Sequence, residues 1–270
     1  MISAFDPWKS KLCTCPKKYS FSPYTGCSHA CIYCYITSYI PNAFKARLKK
    51  DIFRKLKKEL KKVDTYISMS NSSDAYTPEE KKYEATRRCL RIFKENGIKV
   101  LIITKSNLVS RDIDILKDMR ASVSITITTL NNSKAKAMEP MAPPPSKRLA
   151  CLEELYENGI PCSVRLDPII PTINDDEAEE IVEAVSPYCS HIIASTIKPR
   201  NDSFKRLEKV FDIHNFKWIK MGNSFYLPKE MRYKLLKKVE TACKKYGLTF
   251  AVCREKYKFK APSCDGSHLI

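Results

Sequence analysis

Glycine is scarce, with 6 in 270 residues. A glycine-rich phosphate loop has little material here. Neither GxGxxG nor GxxxxGK[ST] occurs, which excludes the usual dinucleotide and P-loop fingerprints. Long apolar runs are missing too. The longest are strand-length, such as Val100 to Ile103. A membrane helix needs about 18 apolar residues or more, so no membrane span is expected. Met1-Ile2-Ser3-Ala4-Phe5-Asp6-Pro7 has no basic start followed by an apolar stretch, so no signal peptide is expected. Acidic residues run short: 30 Asp+Glu against 48 Lys+Arg leave a net charge of +18. That balance excludes an acidic solvating protein. It favours anionic partners (nucleic acid, phosphate-rich ligands or anionic lipid) without choosing among them.

Cysteine is what the chain has in plenty, with 12. A basic chain of this length without a secretory signal argues against a disulfide framework. A metal site in a reducing, cytoplasmic setting is the expectation. The length suits one domain or one with a modest extension, and 43% hydrophobic residues suffice for a core.

The densest cysteine segment is Gly26-Cys27-Ser28-His29-Ala30-Cys31-Ile32-Tyr33-Cys34-Tyr35. Residues 45–62 follow as a basic run, ten Lys or Arg against Asp51 and Glu59. Leu48, Ile52, Phe53, Leu56, Leu60 and Val63 recur in it at helical spacing. This predicts an amphipathic helix whose basic face either is simply solvated or meets phosphates. Strands and helices then alternate. Thr65–Met69 reads as a strand. Thr77, Pro78 and Glu80 read as N-cap, N1 and capping-box residues of a helix running to about Asn96 and stopped by Gly97. Strands are expected at Ile98–Thr104, Ala121–Thr128, Pro161–Asp167 and His191–Thr196. Helices are expected at Asp112–Arg120, from a Ser146 cap to Asn158, and after an Asn174 cap with Glu177 at N3.

Glu95-Asn96-Gly97-Ile98 and Glu157-Asn158-Gly159-Ile160 both mark a helix end followed by a strand. Repeated βα units imply a parallel sheet covered by helices. The predicted fold class is α/β: a partial (β/α) barrel of parallel strands with an irregular, basic C-terminal extension. The expected organisation is an N-terminal extension over 1–18, the barrel over 19–200 and the extension over 201–270. The extension holds one clear basic helix, at about 228–246. Barrels carry their reactive groups at the C-terminal strand ends. Those ends are Ser70–Asp74, Thr104-Lys105-Ser106, Thr128-Thr129 and Asp167-Pro168.

Cys27-x3-Cys31-x2-Cys34 places three thiolates within eight residues, able to clasp one iron–sulfur cluster. A cubane normally takes four Cys, so three leave one iron open for chemistry. Two other readings stand beside this one: zinc held by the three Cys with His29, and a ferredoxin-like cluster closed by Cys15. Cys13, Cys15, Cys253 and Cys264, in irregular terminal segments, form a candidate second iron–sulfur or zinc site. Cys89, Cys151, Cys162, Cys189 and Cys243 lie on helix or strand patterns and read as small core residues. His191 and His214 read as structural, and Asp175-Asp176-Glu177 as a helix N-terminus.

The Cx3CxxC spacing with Tyr33 before the last Cys resembles the radical S-adenosylmethionine superfamily. A wider set resembles its spore photoproduct lyase-like branch. That set is Ser22 to Tyr35, Ser73-Asp74-Ala75-Tyr76-Thr77-Pro78-Glu79-Glu80, Thr104-Lys105-Ser106 with Arg111-Asp112, Glu139-Pro140-Met141-Ala142-Pro143 and Asp167-Pro168-Ile169-Ile170-Pro171. The resemblance covers roughly residues 19–200.

It implies a [4Fe–4S] cluster on Cys27, Cys31 and Cys34, with S-adenosylmethionine chelated at the fourth iron. One electron, from a reductant such as a ferredoxin or flavodoxin, would then release a 5′-deoxyadenosyl radical that abstracts hydrogen from substrate. It implies cofactor-binding roles for Lys105 (the methionyl carboxylate), Tyr33 (beside adenine), Ser73 and Asp74 (ribose or amino group) and Ser124, with Ser122 or Thr126 as the other candidates on that strand. No substrate-directed catalytic residue is assigned. Lyases of this branch carry a hydrogen-donor Cys just before the Ser-Asp pair. Asn71-Ser72 stands there in this chain, so their substrate is not carried over. DNA or RNA is the expected substrate class from charge, with a protein or peptide as alternative. A non-catalytic iron–sulfur protein that binds nucleic acid or carries electrons is the rival of another class.

Overall fold

The computed structural model describes residues 1–5, 12–69, 71–257 and 259–270. Ser70, part of one expected strand end, lies outside the described residues, as do Asp6 and Pro7. In chain order the strands are β1 (Ser3–Ala4), β2 (Tyr19–Phe21), β3 (Tyr24–Thr25), β4 (Arg47–Leu48), β5 (Ile67–Met69), β6 (Val100–Thr104), β7 (Ala121–Thr126), β8 (Cys162–Ile169), β9 (His191–Thr196), β10 (Ile219–Met221), β11 (Ser224–Tyr226) and β12 (Thr249–Val252). The α-helices are α1 (Ile52–Glu59), α2 (Glu80–Tyr83), α3 (Ala85–Glu95), α4 (Ile113–Leu116), α5 (Asn132–Met138), α6 (Pro145–Glu157), α7 (Ala178–Val185), α8 (Asn201–Leu207) and α9 (Lys229–Lys245).

One eight-stranded sheet runs β1-β2-β5-β6-β7-β8-β9-β12, parallel throughout except for β1. This is the expected partial barrel. Alternation along the strands sorts its two faces. On β7, Val123 and Ile125 join the apolar core, while Ser122, Ser124 and Thr126 are buried on the opposite, inner face. Ser68, Ser163, Arg165, His191 and Ser195 add buried polar groups on β5, β8 and β9. The main apolar core therefore lies between sheet and helices, and the lumen is polar. All five cysteines expected in the core are there.

Several expected boundaries change, each because a polar side chain finds a tertiary partner. The basic run is not one helix. Leu48 pairs in β4, and α1 starts at Ile52. Thr77 and Glu80 do not make a capping box. Thr77 Oγ1 accepts from Ser28 N at 3.0 Å, and Glu80 is fully buried. Glu80 accepts from Tyr24 Oη, Thr86 N and Arg111 Nη2 at 2.5, 2.9 and 2.8 Å. The expected single helix is split at Glu84, whose φ is 46°. Asn174 caps nothing. Its side chain is buried and bonds Ile170 N, Thr128 O and Pro168 O, and α7 starts at Ala178. Pro144, not Ser146, precedes α6. Residues 107–112 form a 3-10 turn ahead of a short α4. Gly97 and Gly159 end their helices with φ of 64° and 72°, as expected.

Beyond residue 197 the chain holds more than one helix. It adds α8, the β10–β11 hairpin and β12, which pairs with β9 as the last strand of the sheet. No helix among the described residues is long and apolar enough to cross a membrane.

Candidate functional site

The cysteine loop lies across the C-terminal ends of the strands. Gly26 opens it at φ +81°. A Cβ there would stand 2.7 Å from Ala43 O and 2.8 Å from Lys45 O, so only glycine fits. Backbone bonds then fasten the loop: Cys27 N to Ala43 O (2.7 Å), Ile32 N to Met138 O (3.0 Å) and Met141 N to His29 O (3.2 Å). Tyr35 Oη donates to Asn71 O at 2.7 Å, past the end of β5. Arg206 of α8 donates to Ile32 O and Cys34 O at 3.0 and 2.8 Å. The loop is thus held by segments that follow β5 and β7 and by α8, which follows β9.

Two buried carboxylates sit under it. Asp74 Oδ1 accepts from Thr104 Oγ1 at 2.7 Å and Tyr76 N at 2.9 Å. Its Oδ2 accepts from Lys105 N at 2.9 Å and pairs with His29 Nδ1 at 3.4 Å. Burial opposes its ionisation, but His29 and these donors hold its carboxyl down at about 2. His29 is buried, which would depress it. The neighbouring Cys27 and Asp74 instead lift it to about 10. Glu139 is the second carboxylate. It takes the Tyr33 hydroxyl, the Thr128 hydroxyl at 3.0 Å, and ion pairs with Arg148 at 2.5 Å and Lys105 at 3.7 Å. Burial works against its charge too, yet Arg148 first and then Lys105 keep it down at about 2.

These contacts place the expected site residues. Tyr33, Lys105 and Asp74 meet around the cysteine loop, with Lys105 Nζ 5.6 Å from the centre of the Tyr33 ring. Ser73 is buried beside them, its carbonyl accepting from Ser22 Oγ at 3.2 Å. Ser124 lies deeper in the lumen, where its hydroxyl accepts from Ser163 Oγ at 2.9 Å; Ser122 and Thr126 share its face. His29 belongs to Asp74. The helix residues Arg148 and Arg206 were not foreseen. Arg148 sits on α6 where the pattern suggests a solvated arginine, and no local signal marks it as the counter-ion of Glu139. The Glu139-Pro140 motif was the one available pointer.

The donors suit a cluster better than a single ion. Cys27, Cys31 and Cys34 form no disulfide. Among the described residues, no three His, Cys, Asp or Glu side chains close on one ion position. Cys31 nevertheless feels Cys34, Cys27 and Lys105 electrostatically. Three neighbouring thiols are soft donors of the kind an iron–sulfur cluster takes. Burial pushes the Cys34 thiol up to about 11 and raises Cys31 as well. Metal binding must therefore displace protons there.

A partial parallel barrel with a three-cysteine loop over its C-terminal mouth defines an α/β barrel protein built around a metal cluster. The chain belongs to the Radical SAM superfamily, whose family model matches residues 21–185. Membership brings with it an iron–sulfur cluster and S-adenosylmethionine.

The chain is 34% identical over 178 residues to an uncharacterized protein of Methanocaldococcus jannaschii, covering 63% of this chain and 67% of that protein. It is 30% identical over 177 residues to an uncharacterized protein of Acidianus two-tailed virus, covering 58% of each. The match thus spans a little over half of the viral relative. Among solved structures, spore photoproduct lyase complexed with dinucleoside spore photoproduct superposes with a TM-score of 0.69 at 14% identity, over 88% of this chain and 76% of that one. Streptococcus suis SuiB bound to S-adenosylmethionine gives 0.57 at 14% identity, over 86% and 49%. At such identities the likeness is one of fold.

Proposed function

We propose that this chain is an enzyme in which Cys27, Cys31 and Cys34 hold a [4Fe–4S] cluster and the open iron takes S-adenosylmethionine. When bound and reduced, that pair supplies a 5′-deoxyadenosyl radical for hydrogen abstraction from a substrate. The observation that carries the reading is the placement of the loop: three thiols held over a polar lumen by segments from several strands. Lys105, charged and 15% exposed in its side chain, is in position to meet the cofactor's carboxylate. Tyr33, fixed by Glu139, offers a ring beside the adenine. Ser73, Asp74 and Ser124 are the further cofactor contacts. Asp74 acts mainly by fixing the end of β6 to the cysteine loop, since all its bonds are internal.

DNA or RNA is the proposed substrate class. The net charge of +18 supports it. So does the likeness in fold to a lyase whose bound ligand is a dinucleoside photoproduct. Asn71 argues against the same reaction. It stands where that branch has its donor thiol, and its amide is committed to Ser20 Oγ at 3.0 Å and Ser68 O at 2.8 Å. A protein or peptide substrate is the second reading, since net positive charge does not by itself select nucleic acid. A one-electron donor of the ferredoxin or flavodoxin kind is the proposed partner.

The test is anaerobic reconstitution, dithionite reduction and addition of S-adenosylmethionine, with 5′-deoxyadenosine read by mass spectrometry. Product that disappears in Cys31→Ala supports the proposal. An intact reduced cluster that yields none, and whose spectrum ignores S-adenosylmethionine, would leave the binding or electron-transfer reading instead.

A further inference from the structure

The remaining four cysteines come from opposite ends of the chain and meet. Cys13 and Cys15 precede β2, the strand that begins the parallel run of the sheet. Cys253 and Cys264 follow β12, which ends it. Cys15 lies within electrostatic reach of Cys13, Cys264 and Cys253, and Thr14, Pro16 and Cys264 line one small cavity. None of the four lies in the apolar core, where the five packing cysteines sit. The ends are also tied by charge: Lys18 Nζ donates to Asp265 at 2.6 Å, and Tyr66 Oη to the same carboxylate at 2.7 Å.

The surroundings of these thiols are cationic. Lys18 Nζ is 3.4 Å from Cys15 Sγ and its side chain is 2% exposed. Arg165, buried in the lumen, lies near Cys253 and pairs with Asp167 at 3.1 Å. Arg254 interacts with Cys253 and Cys13 and has no carboxylate partner among the described residues. Its Nε is buried without a hydrogen-bond partner. Buried cations are costly unless anions face them. Asp265 answers Lys18 and Asp167 answers Arg165, which leaves Arg254; neutral thiols do not meet its need, whereas metal-bound thiolates, which keep a net negative charge, do. A cavity of about 300 Å³ opens beside Cys264, between Thr14, Pro262 and His268, and gives ions a way in.

We propose that Cys13, Cys15, Cys253 and Cys264 bind a second, thiolate-ligated metal centre, zinc or iron–sulfur, which clasps the segment entering β2 to the segment leaving β12. It fastens the two open sides of the partial barrel. The four thiols do not close on one ion position in this structure. The same is true of Cys27, Cys31 and Cys34, so this does not separate the second set from the first. Binding draws the four thiols together and releases their protons.

The proposal does not depend on radical chemistry, so its test is run where that chemistry is absent. The full chain carrying Cys27→Ala, Cys31→Ala and Cys34→Ala is offered zinc, or iron and sulfide, under anaerobic conditions, and metal is counted after gel filtration. Zinc held in stoichiometric amount by a colourless protein identifies a zinc site. Iron with sulfide and a visible absorption band identifies a cluster. Either metal is expected to fall to background when Cys15→Ser and Cys264→Ser are added. A folded triple variant, by circular dichroism, that retains neither metal overturns the proposal. Should the triple variant fail to fold, the wild-type chain decides through alkylation mapped by mass spectrometry. Cys13, Cys15, Cys253 and Cys264 are expected to be protected until a chelator is added. Equal labelling with and without the chelator overturns the proposal.

Discussion

Single residues decide whether the cysteine loop can form. Gly26 has a left-handed φ, and two carbonyl oxygens crowd the place where a Cβ would go. Gly26→Ala adds about 1–2 kcal/mol of backbone strain and a contact with main-chain atoms that cannot swing aside. The expected outcome is a folded protein that retains little iron after reconstitution. Wild-type iron content in that variant would show that the loop tolerates the shift. His191 makes a second prediction. It is fully buried, its Nδ1 lies 2.8 Å from Thr249 Oγ1 and its Nε2 is unpartnered. Thr249 Oγ1 donates to Ser190 O, so the ring nitrogen is the donor between them. Burial, and then the neighbouring His268, push the pKa of His191 down to about 4. The unfolded chain has a pKa near 6.5 and takes up a proton first. The stability that His191 contributes is therefore constant above about pH 7 and falls as pH drops from about 6.5 to 4, by up to about 3 kcal/mol. Urea midpoints at pH 7.5 and 5 are expected to differ less in His191→Gln than in the wild type.

At the scale of elements, Glu80 joins more pieces than any capping role would allow. Its carboxylate receives Tyr24 of β3, Thr86 of α3 and Arg111 of the 3-10 turn after β6. Glu80→Gln keeps the shape but leaves the Arg111 charge with Asp112 alone and forfeits charge-assisted bonds. A loss of about 2–3 kcal/mol in unfolding free energy is expected. A change below about 0.5 kcal/mol would mean the cluster is solvated in solution, as exposed pairs are. Elements also show how far the sequence could be read. The Asn-Gly stops at 96–97 and 158–159 were legible because a C′ glycine acts locally. Thr77, Asn174 and Glu80 were misread because each carries a local capping signal and a distant partner, and the distant partner won. β12 gave no usable signal: four residues after a helix, Thr249–Val252, become a strand only because the edge of β9 waits for them. Lys105, Tyr33 and Asp74 lie beside the cysteine loop, and their expected cofactor roles stay a proposal. The pairing of Arg148 with Glu139 and of His29 with Asp74 was not legible, since nothing in sequence distance connects residue 148 to residue 139 through an interior.

For the whole molecule, the question is how an open barrel protects its sides. β12 covers β9, and the tail beyond it returns through Asp265 to Lys18 and Tyr66. Gly266 packs against Ser163 and His191 of the lumen; a Cβ there would stand 3.0 Å from Ser163 Oγ. Deleting residues 247–270 is expected to expose an unpaired, apolar strand edge and to give aggregated protein on gel filtration. A monomeric, soluble truncation would show that β9 needs no cover. The basic helices α1 and α9 lie on the outer layer, packed on α3 and on α7 respectively.

The sequence by itself determined the class of the molecule. Three thiols in one short loop and alternating βα units are local patterns, and they act through spacing that any fold must respect. The amount of positive charge, the lack of a phosphate loop and the five core cysteines were equally plain. Only the tertiary structure decided which charges meet and which cysteines do. Asp74 with His29, Glu139 with Arg148 and Lys105, and Cys15 with Cys264 are pairs made by the closing of a sheet. Burial turns each of those meetings into a strong constraint, because a charge taken from water must find its partner inside.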